Sequence, residues 1–576
     1  MKLSLKFVIV LVVLLLASSF VLAEDGQKSE SYSIWFGGHY TDFSDYTKKV
    51  GEYNKGLNET LPEFNLNYLS AGTQSILRFY GYYYDDKNVY AKLNSTISNK
   101  LKLSMQYRSL IKQEGQDLLT NMEAREYFPS TGTLGGKMLT HDITDSGADY
   151  NTTRRELLTK FSLLLSEKND VRLSATHRMI LKSGTEQKIS STHCFSCHLT
   201  SMTGEVDNTQ HQIEAGIDAT VNKFDLGYQF GYRVFEPNNG VSLAKYDDAR
   251  HPVNGSAGAE FGSRLIYEDV TAEFAVQPKT EKISHKVKFK RNVGQGYLTG
   301  ALGYTNTENK YTSLESNSYS SAFNYATFLN PSTRLIANVA ISKFDSDSIY
   351  IDLPTFRETR PDSNYVDFDF TRYSSLNRTN TKLSAEIIKR MNKSLTVNAL
   401  VGYDIVNREN YPIVDNGTKT KKLYLQGKLN YRKSLSLRSS LKVRFEKITD
   451  PFMSARGLFE SSGEHVLDPL TGPSTFVFYF QREDLRYQNI TTLPTQLLSF
   501  DWNMNYKPSS TVSITMGLKG KLDKNDDLDS LDVKHSSFVP SMSLAVAPNS
   551  KFSMQTGYSY NFDKSKLPVT IALFDG

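Results

Sequence analysis

The fold is decided by a pair of neighbouring segments, TKLSAEIIK at residues 381–389 and LTVNALVGYDI at residues 395–405. In each of them apolar residues such as Leu383 alternate with polar residues such as Lys382. A period of two is typical of a β-strand with two different faces. Only residues 391–394 separate the segments, which is short enough for a hairpin.

The same alternation recurs from residue 31 to the end of the chain. We count about 24 such strands, many of them about 10 to 14 residues long, whereas ordinary strands have about 5 to 6 residues. Long strands with a charged inner face and an apolar outer face are typical of an outer-membrane barrel. The sequence therefore predicts an all-β protein, a large antiparallel barrel with its polar face turned to the lumen. The charged side chains predicted to face the lumen are Lys382, Glu386, Arg438, Lys442, Arg444, Glu446, Lys519 and Lys521.

The connections between these strands alternate between short turns and long loops. Short turns are predicted at 99–100, 168–169, 222–223, 330–332, 392–393, 433–434, 507–509 and 548–550. Long loops are predicted at 42–62, 112–151, 182–208, 236–258, 345–378, 447–475 and 523–535. Outer-membrane barrels keep short turns on the periplasmic side and long loops outside. The strands between residues 259 and 328 carry the weakest pattern.

The N-terminus has the features of a secretory signal. Lys2 and Lys6 precede an apolar run, and small residues lead to Ala23, the expected last residue removed. The predicted organisation is thus a signal peptide at 1–23 and a transmembrane barrel at 24–576, in the outer membrane of a Gram-negative bacterium. At the other end the chain stops at Gly576 after an outward strand, and we expect either a misjudged last strand or a truncated reading frame.

Composition excludes several classes of protein. The chain has 34 Tyr, 32 Phe and only 2 Cys, with a formal charge of +5 over 576 residues. So small a basic excess argues against a nucleic-acid-binding protein. Two cysteines exclude a multi-disulfide framework and a cysteine-rich metal scaffold. Because no nucleophile elbow, phosphate loop or paired-carboxylate site is present either, we expect no enzymatic activity.

Both cysteines lie in one motif, Cys194-Phe-Ser-Cys197-His198, inside the predicted 182–208 loop. Cys-x-x-Cys-His is the attachment signature of a c-type haem, in which both thiols form thioethers and the histidine ligates the iron. Two alternatives stay open: a loop disulfide or redox-active thiol pair, and a metal site that includes His193. For a haem, His211 is the candidate second axial ligand.

Other segments resemble a known family. The stretches FGGHYTDFSDY at 36–46, KVGEY at 49–53 and FYGYYYDDK at 79–87 are similar to the porin components of porin–cytochrome electron conduits. That resemblance implies a barrel that sheathes a multihaem c-type cytochrome while electrons cross the outer membrane. Known members carry Cys-x-x-Cys near the N-terminus, whereas this chain has it about a third of the way along, so the role of those cysteines is not carried over.

Two functions are therefore predicted. The first is a sheath for one or more multihaem c-type cytochromes, periplasmic or extracellular, in extracellular electron transfer, with one haem of its own. The second is a diffusion porin or substrate channel with a structural disulfide in an external loop. A haem or metal uptake receptor is disfavoured, since no plug segment precedes the predicted barrel.

Overall fold

The computed structural model describes most of the chain outside the N-terminal segment and several loops. The described residues are 29–42, 51–55, 59–119, 138–191, 196–246, 264–265, 270–351, 356–357, 365–366, 370–372, 374, 376–409, 419–434, 436–451, 459–461, 493–526 and 533–567. The predicted signal peptide, Cys194 and the predicted 1–23 boundary lie outside the described residues.

The described secondary structure consists of 31 strands. In the first half they are β1 (Ser29–Tyr40), β2 (Thr60–Ala71), β3 (Ser75–Tyr83), β4 (Val89–Ile97), β5 (Leu101–Glu114), β6 (Met138–Ile143), β7 (Tyr150–Ser166), β8 (Val171–Ser191), β9 (Ser196–Val221), β10 (Phe224–Pro237), β11 (Ser242–Tyr246), β12 (Arg264–Leu265), β13 (Val270–Phe274) and β14 (Thr280–Val293). In the second half they are β15 (Gly296–Asn309), β16 (Leu314–Asn330), β17 (Thr333–Ser346), β18 (Ile349–Ile351), β19 (Phe356–Arg357), β20 (Tyr365–Val366), β21 (Phe370–Arg372), β22 (Arg378–Arg390), β23 (Leu395–Arg408), β24 (Lys419–Arg432), β25 (Leu437–Thr449), β26 (Phe459–Ser461), β27 (Gln496–Tyr506), β28 (Val512–Lys524), β29 (Lys534–Asn549), β30 (Phe552–Ser559) and β31 (Phe562–Lys566).

One large sheet contains 23 of these strands, and all but β6 pair antiparallel with their neighbours. Successive long strands pair in chain order from β1 to β29, and β30 and β31 both pair with β29. This sheet confirms the predicted all-β barrel architecture, and its 22 strands other than β6 are close to the predicted count of about 24. Among the described residues, no helix is long and apolar enough to cross a membrane.

The two faces of the sheet differ in chemistry and in exposure. Apolar side chains such as Leu425 (53% exposed) and Ile213 (47%) lie on the more exposed face. Charged side chains such as Glu446 (13%) and Asp404 (15%) lie on the more enclosed face. A curved sheet exposes its convex side more, so the apolar face is the outer, lipid-facing one and the polar face lines the lumen. The protein is accordingly an outer-membrane barrel of Gram-negative type.

All the predicted short turns lie at one end of the sheet, as alternate connections of the meander. The connection from β9 to β10 consists of Asn222 and Lys223, which both have positive φ (50° and 66°). Two such residues form the tight hairpin turn whose twist matches the strands it joins. The long connections lie at the opposite end, which is the extracellular end of the barrel.

One predicted loop is largely strand. Most of residues 182–208 continue β8 and β9 as a long hairpin, paired up to Ser191 and Leu199. The pairing of β8 with β7 stops at Gly184, where a Cβ atom would lie 2.0 Å from the Asn151 carbonyl oxygen. Above that glycine the hairpin leaves the barrel wall, and β6 pairs in parallel with the upper part of β9. We call this projecting part, residues 185–191 and 196–205 with β6, the hairpin extension.

Residues 236–258 were predicted as a long loop and residues from 259 onward as further strands, but the described residues between 236 and 280 form shorter elements. There β11 pairs with β13 in a small separate sheet, and β12 pairs with β19. The next long strands of the wall are β14, β15 and β16, in the region where the sequence pattern was weakest. These small sheets lie at the extracellular end and add no strand to the barrel wall.

Candidate functional site

Cys197 and His198, the described part of the Cys-x-x-Cys-His motif, lie in the upper part of β9 within the hairpin extension. The backbone of Cys197 and His198 is extended and pairs with Leu139 and Thr140 of β6. This confirms a position at the extracellular end but replaces the predicted open loop by a strand. The described residues contain no group of three or more His, Cys, Asp or Glu side chains that could hold a metal ion.

His211, the predicted second axial ligand, lies far from this motif. It is on the same continuous strand as His198, thirteen residues further along β9. At about 3.3 Å per residue the two positions are roughly 40 Å apart, so His211 cannot ligate an iron held by His198. That prediction is wrong, because a 26-residue strand replaces the loop that would have let the chain fold back.

His211 has a different partner. Its Nδ1 lies 3.2 Å from Nε2 of His177 on β8, and the two rings are coplanar to within 4°. His177 is opposite Ile213, and Met179 is opposite His211, so the pair lies on the apolar outer face. One ring donates and the other accepts, which satisfies both facing nitrogens in an apolar setting.

Substitutions should reveal this pairing as a coupling between two sites. We expect His177→Leu to lower the free energy of unfolding by about 1–3 kcal/mol, because it leaves a ring nitrogen of His211 unpaired among apolar neighbours. His177→Leu/His211→Leu should be nearly neutral, since both polar groups are then gone. Urea unfolding in lipid vesicles measures both. Equal, additive losses in the double variant would contradict the pairing.

The loop before β7 anchors the hairpin extension, whose two strands are also joined by a side-chain hydrogen bond. Gln187 Nε2 donates to Ser201 Oγ at 2.6 Å, and the Thr144 amide donates to the Ser201 carbonyl at 3.0 Å. The Thr203 amide donates to Asp145 Oδ2 at 2.7 Å. Ser201 is fully buried by these contacts. The extension is thus held in place by the loop before β7.

The anchoring by Asp145 should depend on pH. Hydrogen bonds from the Thr203 amide and hydroxyl lower the pKa of this carboxyl below its usual 3.8. A lowered pKa means that the charged form stabilises the contact, so the contact is complete above about pH 4 and is lost as the pH falls through the lower, folded value. Amide hydrogen exchange at Thr203, compared with an Asp145→Asn variant at each pH, should show extra protection only above that range. Equal protection in both proteins at neutral pH would refute this anchoring role.

One group of paired charges on the lumenal face spans β23, β24 and β25. Lys422 Nζ lies 3.2 Å from Asp404 Oδ2 and 3.8 Å from Glu446 Oε2. Arg444 Nε donates to Glu446 Oε1 at 2.6 Å, and its guanidinium carbon lies 4.1 Å from the centre of the Tyr424 ring. We call these five residues the lumenal network. Tyr424 and Arg444 each lie between two exposed apolar residues, as the period-two pattern predicts for the wall of a polar lumen.

Two further groups of oppositely charged side chains lie on the lumenal face. Glu156 accepts from Arg178 Nε at 2.6 Å and pairs with Arg154. On β29, His535 contacts Asp523 of β28 through Nδ1 at 3.1 Å and Asp563 of β31 through Nε2 at 2.9 Å. Lys521 was predicted to face the lumen, and it lies 2.6 Å from Asp523. The histidine was missed, since only the register of β29 against β28 and β31 places it between these two carboxylates.

Comparisons with known proteins give no family for this chain. No protein-family model matches the chain, and no curated protein matches it. Among solved structures, the ferric enterobactin receptor PfeA from Pseudomonas aeruginosa has 9% identity and a TM-score of 0.46, covering 95% of this chain and 78% of its own. The FrpB iron transporter from Neisseria meningitidis has 9% identity and a TM-score of 0.43, with coverages of 84% and 72%. The copper transporter OprC has 10% identity and a TM-score of 0.44, with coverages of 92% and 74%. At this level of likeness, the cargo of those proteins does not transfer to this chain.

Proposed function

We propose that this protein is an outer-membrane channel for hydrophilic solutes, with no catalytic activity of its own. The observation that carries the proposal is the lumenal network, in which side chains of both signs line the enclosed face of a wall whose outer face is apolar. Mixed charge on a hydrated wall suits the passage of small polar and ionic solutes. The outer-membrane location follows from the same two faces.

The expected width of the lumen supports passage of sizeable solutes. A closed barrel of about 22 strands, spaced about 4.8 Å apart and tilted by about 40°, has a backbone diameter of roughly 45 Å. Side chains on the inner face reduce the free width to roughly 30 Å. Unless something fills it, a lumen of this size conducts ions freely.

The same width favours a second candidate, a sheath around a multihaem c-type cytochrome. A compact domain of about 100 residues has a radius of gyration of about 13 Å, so its diameter is close to that of such a lumen. The partner would contact the lumenal network through carboxylates of its own. The resemblance at residues 36–46 and 79–87 also supports this candidate.

Electrical recording separates the two candidates. The full chain, purified from its native membrane and inserted into planar bilayers, should conduct without further treatment if it is a channel. A sheath should copurify with a haem protein and conduct only after that partner is removed. Absence of conductance in a folded, partner-free protein would refute the channel.

A c-type haem on the barrel itself is a separate proposal that rests on the motif at residues 194–198. Cys194 and Cys197 would hold it through thioethers, and His198 would be one axial ligand. When bound, such a group supplies one-electron redox chemistry. Haem staining of the denatured full chain, with Cys194→Ala/Cys197→Ala as the control, tests it. A pair of oxidised thiols without retained haem would make the motif a disulfide.

A further inference from the structure

A cavity of about 450 Å³ lies in the wall formed by β1 to β4, near the periplasmic end of these strands. On β1, β2 and β3 its lining side chains come in pairs, and the residue between them turns its side chain to the outer face, as Tyr32 does (77% exposed). The outer-face neighbour Ile34 does not line it. The cavity therefore opens to the lumen. We call it the β1–β4 pocket, and its lining includes Ser33, Asn67, Arg78, Tyr80, Lys92 and Asn94.

Two cations line this pocket with no carboxylate beside them. On β3, Arg78 is opposite Asn94 of β4. Lys92 is two residues before Asn94 on the same face, so the two cations are diagonal neighbours, with Cβ atoms about 7–8 Å apart. None of the residues that line the pocket on β1 to β4 is acidic. Within the part of the chain that the structure describes, neither Arg78 nor Lys92 forms an ion pair.

The lumenal carboxylates of Glu63 on β2 and Glu156 on β7 do not neutralise these cations. Glu63 is four residues above Asn67, roughly 13 Å along the strand, and it accepts a hydrogen bond from the Tyr82 hydroxyl. Glu156 already pairs with two arginines. Lys160 adds a further positive charge on the same lumenal face, in the cross-strand row that contains Arg78. The pocket is therefore a positive region of the wall.

Two amides in the pocket have hydrogen-bonding capacity to spare. Asn67 Nδ2 donates to Ser33 Oγ at 3.4 Å, which leaves the Asn67 carbonyl oxygen as an acceptor. Asn94 Oδ1 accepts from the Ser104 hydroxyl at 2.8 Å, which leaves the Asn94 amide nitrogen as a donor. A solute hydroxyl both donates and accepts. One acceptor and one donor on the same wall therefore suit a solute with several hydroxyls.

The half-buried ring of Tyr80 forms one side of the pocket. Its centre lies 5.7 Å from the centre of the Tyr90 ring, and the two planes are tilted by 56°. Tyr90 thus packs against the ring from the extracellular side and fixes its position. An aromatic face beside polar groups can pack against the C–H face of a sugar while the polar groups bind its hydroxyls.

We propose that the β1–β4 pocket binds the phosphate monoester of a sugar on its way through the lumen, so the proposal rests on the proposed channel. A phosphate monoester carries a charge of about −1.5 to −2 at pH 7, which matches the two cations. Arg78 can donate to two phosphate oxygens at once, and Lys92 supplies the second charge. The sugar packs on Tyr80, and its hydroxyls bind Asn67 and Asn94. A volume of about 450 Å³ is in the range of pockets for small solutes.

Isothermal titration calorimetry of the full chain in detergent, freed of any copurifying protein, tests this site with glucose 6-phosphate as the probe. Arg78→Gln/Lys92→Gln removes both cations. At roughly tenfold in affinity per charged hydrogen bond, this variant should bind the probe roughly 100-fold more weakly. The matched control is Arg438→Gln/Lys442→Gln, which removes one arginine and one lysine from the lumenal face of β25, away from the pocket. It should bind within about twofold of the unsubstituted protein.

The probe is compared with its two parts. Glucose lacks the anion and should bind roughly 100-fold more weakly, and inorganic phosphate lacks the ring contact and should bind roughly tenfold more weakly. Glucose binding as tightly as its phosphate would leave the cations without a role, and inorganic phosphate binding as tightly would make the site one for a free anion. Either result would overturn the proposal.

Two further comparisons complete the test. Equal loss of affinity in the control variant would make the effect one of net lumenal charge and would also overturn the proposal. Calorimetry needs no current, so a chain that binds the probe without conducting in bilayers would refute the channel alone. A chain that conducts but does not bind the probe would refute the site alone. Heat-dependent migration on gels confirms that each variant barrel is folded.

Discussion

Asp85→Ala should lower the free energy of unfolding by about 3–5 kcal/mol, the largest loss we expect from one substitution on the extracellular side. Asp85 is only 2% exposed. Its Oδ1 accepts hydrogen bonds from the Lys87 and Asn88 amides, each at 2.7 Å, and its Oδ2 accepts one from Asn88 Nδ2 at 2.7 Å. Alanine would remove the acceptor of three hydrogen bonds in a site with little access for water.

The effect should spread beyond the turn, because Asn88 joins three parts of the chain. Besides Asp85, its Nδ2 donates to the Tyr53 carbonyl at 3.0 Å, and its Oδ1 accepts from the Ile111 amide at 3.1 Å. Removing the carboxylate of Asp85 frees the amide that holds these contacts in place. We therefore expect faster hydrogen exchange at Ile111 as well as in residues 84–88.

The neighbouring residue supplies the control. Asp86 is 42% exposed and lies 2.5 Å from Lys55, an ion pair at the surface. Asp86→Ala should cost no more than about 1 kcal/mol, as exposed pairs do. Guanidinium unfolding of both variants in detergent micelles measures the difference. Similar losses at positions 85 and 86 would show that burial does not set the energetics of this turn.

The contrast between Asp85 and Asp86 shows that the burial of a loop carboxylate could not be predicted from the sequence. Both residues follow a Tyr-rich strand, and nothing in their order tells which carboxylate the loop at 51–55 will cover. The odd or even position of a residue along a strand, by contrast, predicts which face it lies on, because successive side chains of a strand point to opposite faces. That is why Arg444 and Glu446 were placed correctly on the lumenal side, and the structure brings them together.

Cross-strand register is the second feature that could not be predicted from the sequence. Lys524 is opposite Lys534, which is opposite Lys566, and a shift of one residue in either pairing would send one of these lysines to the lumen. Register depends on the loops that join the strands, whose lengths the sequence does not fix. The pairing of His177 with His211 was missed for the same reason, and His211 was assigned instead to a haem at the far end of its strand.

Removing the negative charges of the lumenal network should shift ion selectivity in one direction, and removing its positive charges should shift it in the other. Asp404→Asn/Glu446→Gln removes two negative charges, and Lys422→Gln/Arg444→Gln removes two positive ones. In a lumen of roughly 30 Å, two wall charges about 15 Å from the axis change the cation-to-anion permeability ratio by roughly threefold at 0.01 M salt. The first pair should favour anions and the second cations.

Salt concentration makes this prediction specific to an open lumen. The Debye length is about 30 Å at 0.01 M and about 3 Å at 1 M, so the shift should be clear in dilute salt and vanish in concentrated salt. Reversal potentials in planar bilayers under a salt gradient measure it. Glu308→Gln is the control, since Glu308 pairs with Lys310 on the outer face and should change nothing. Shifts of the same sign in both lumenal variants would mean that the current does not pass along this wall, and the channel proposal would then fail.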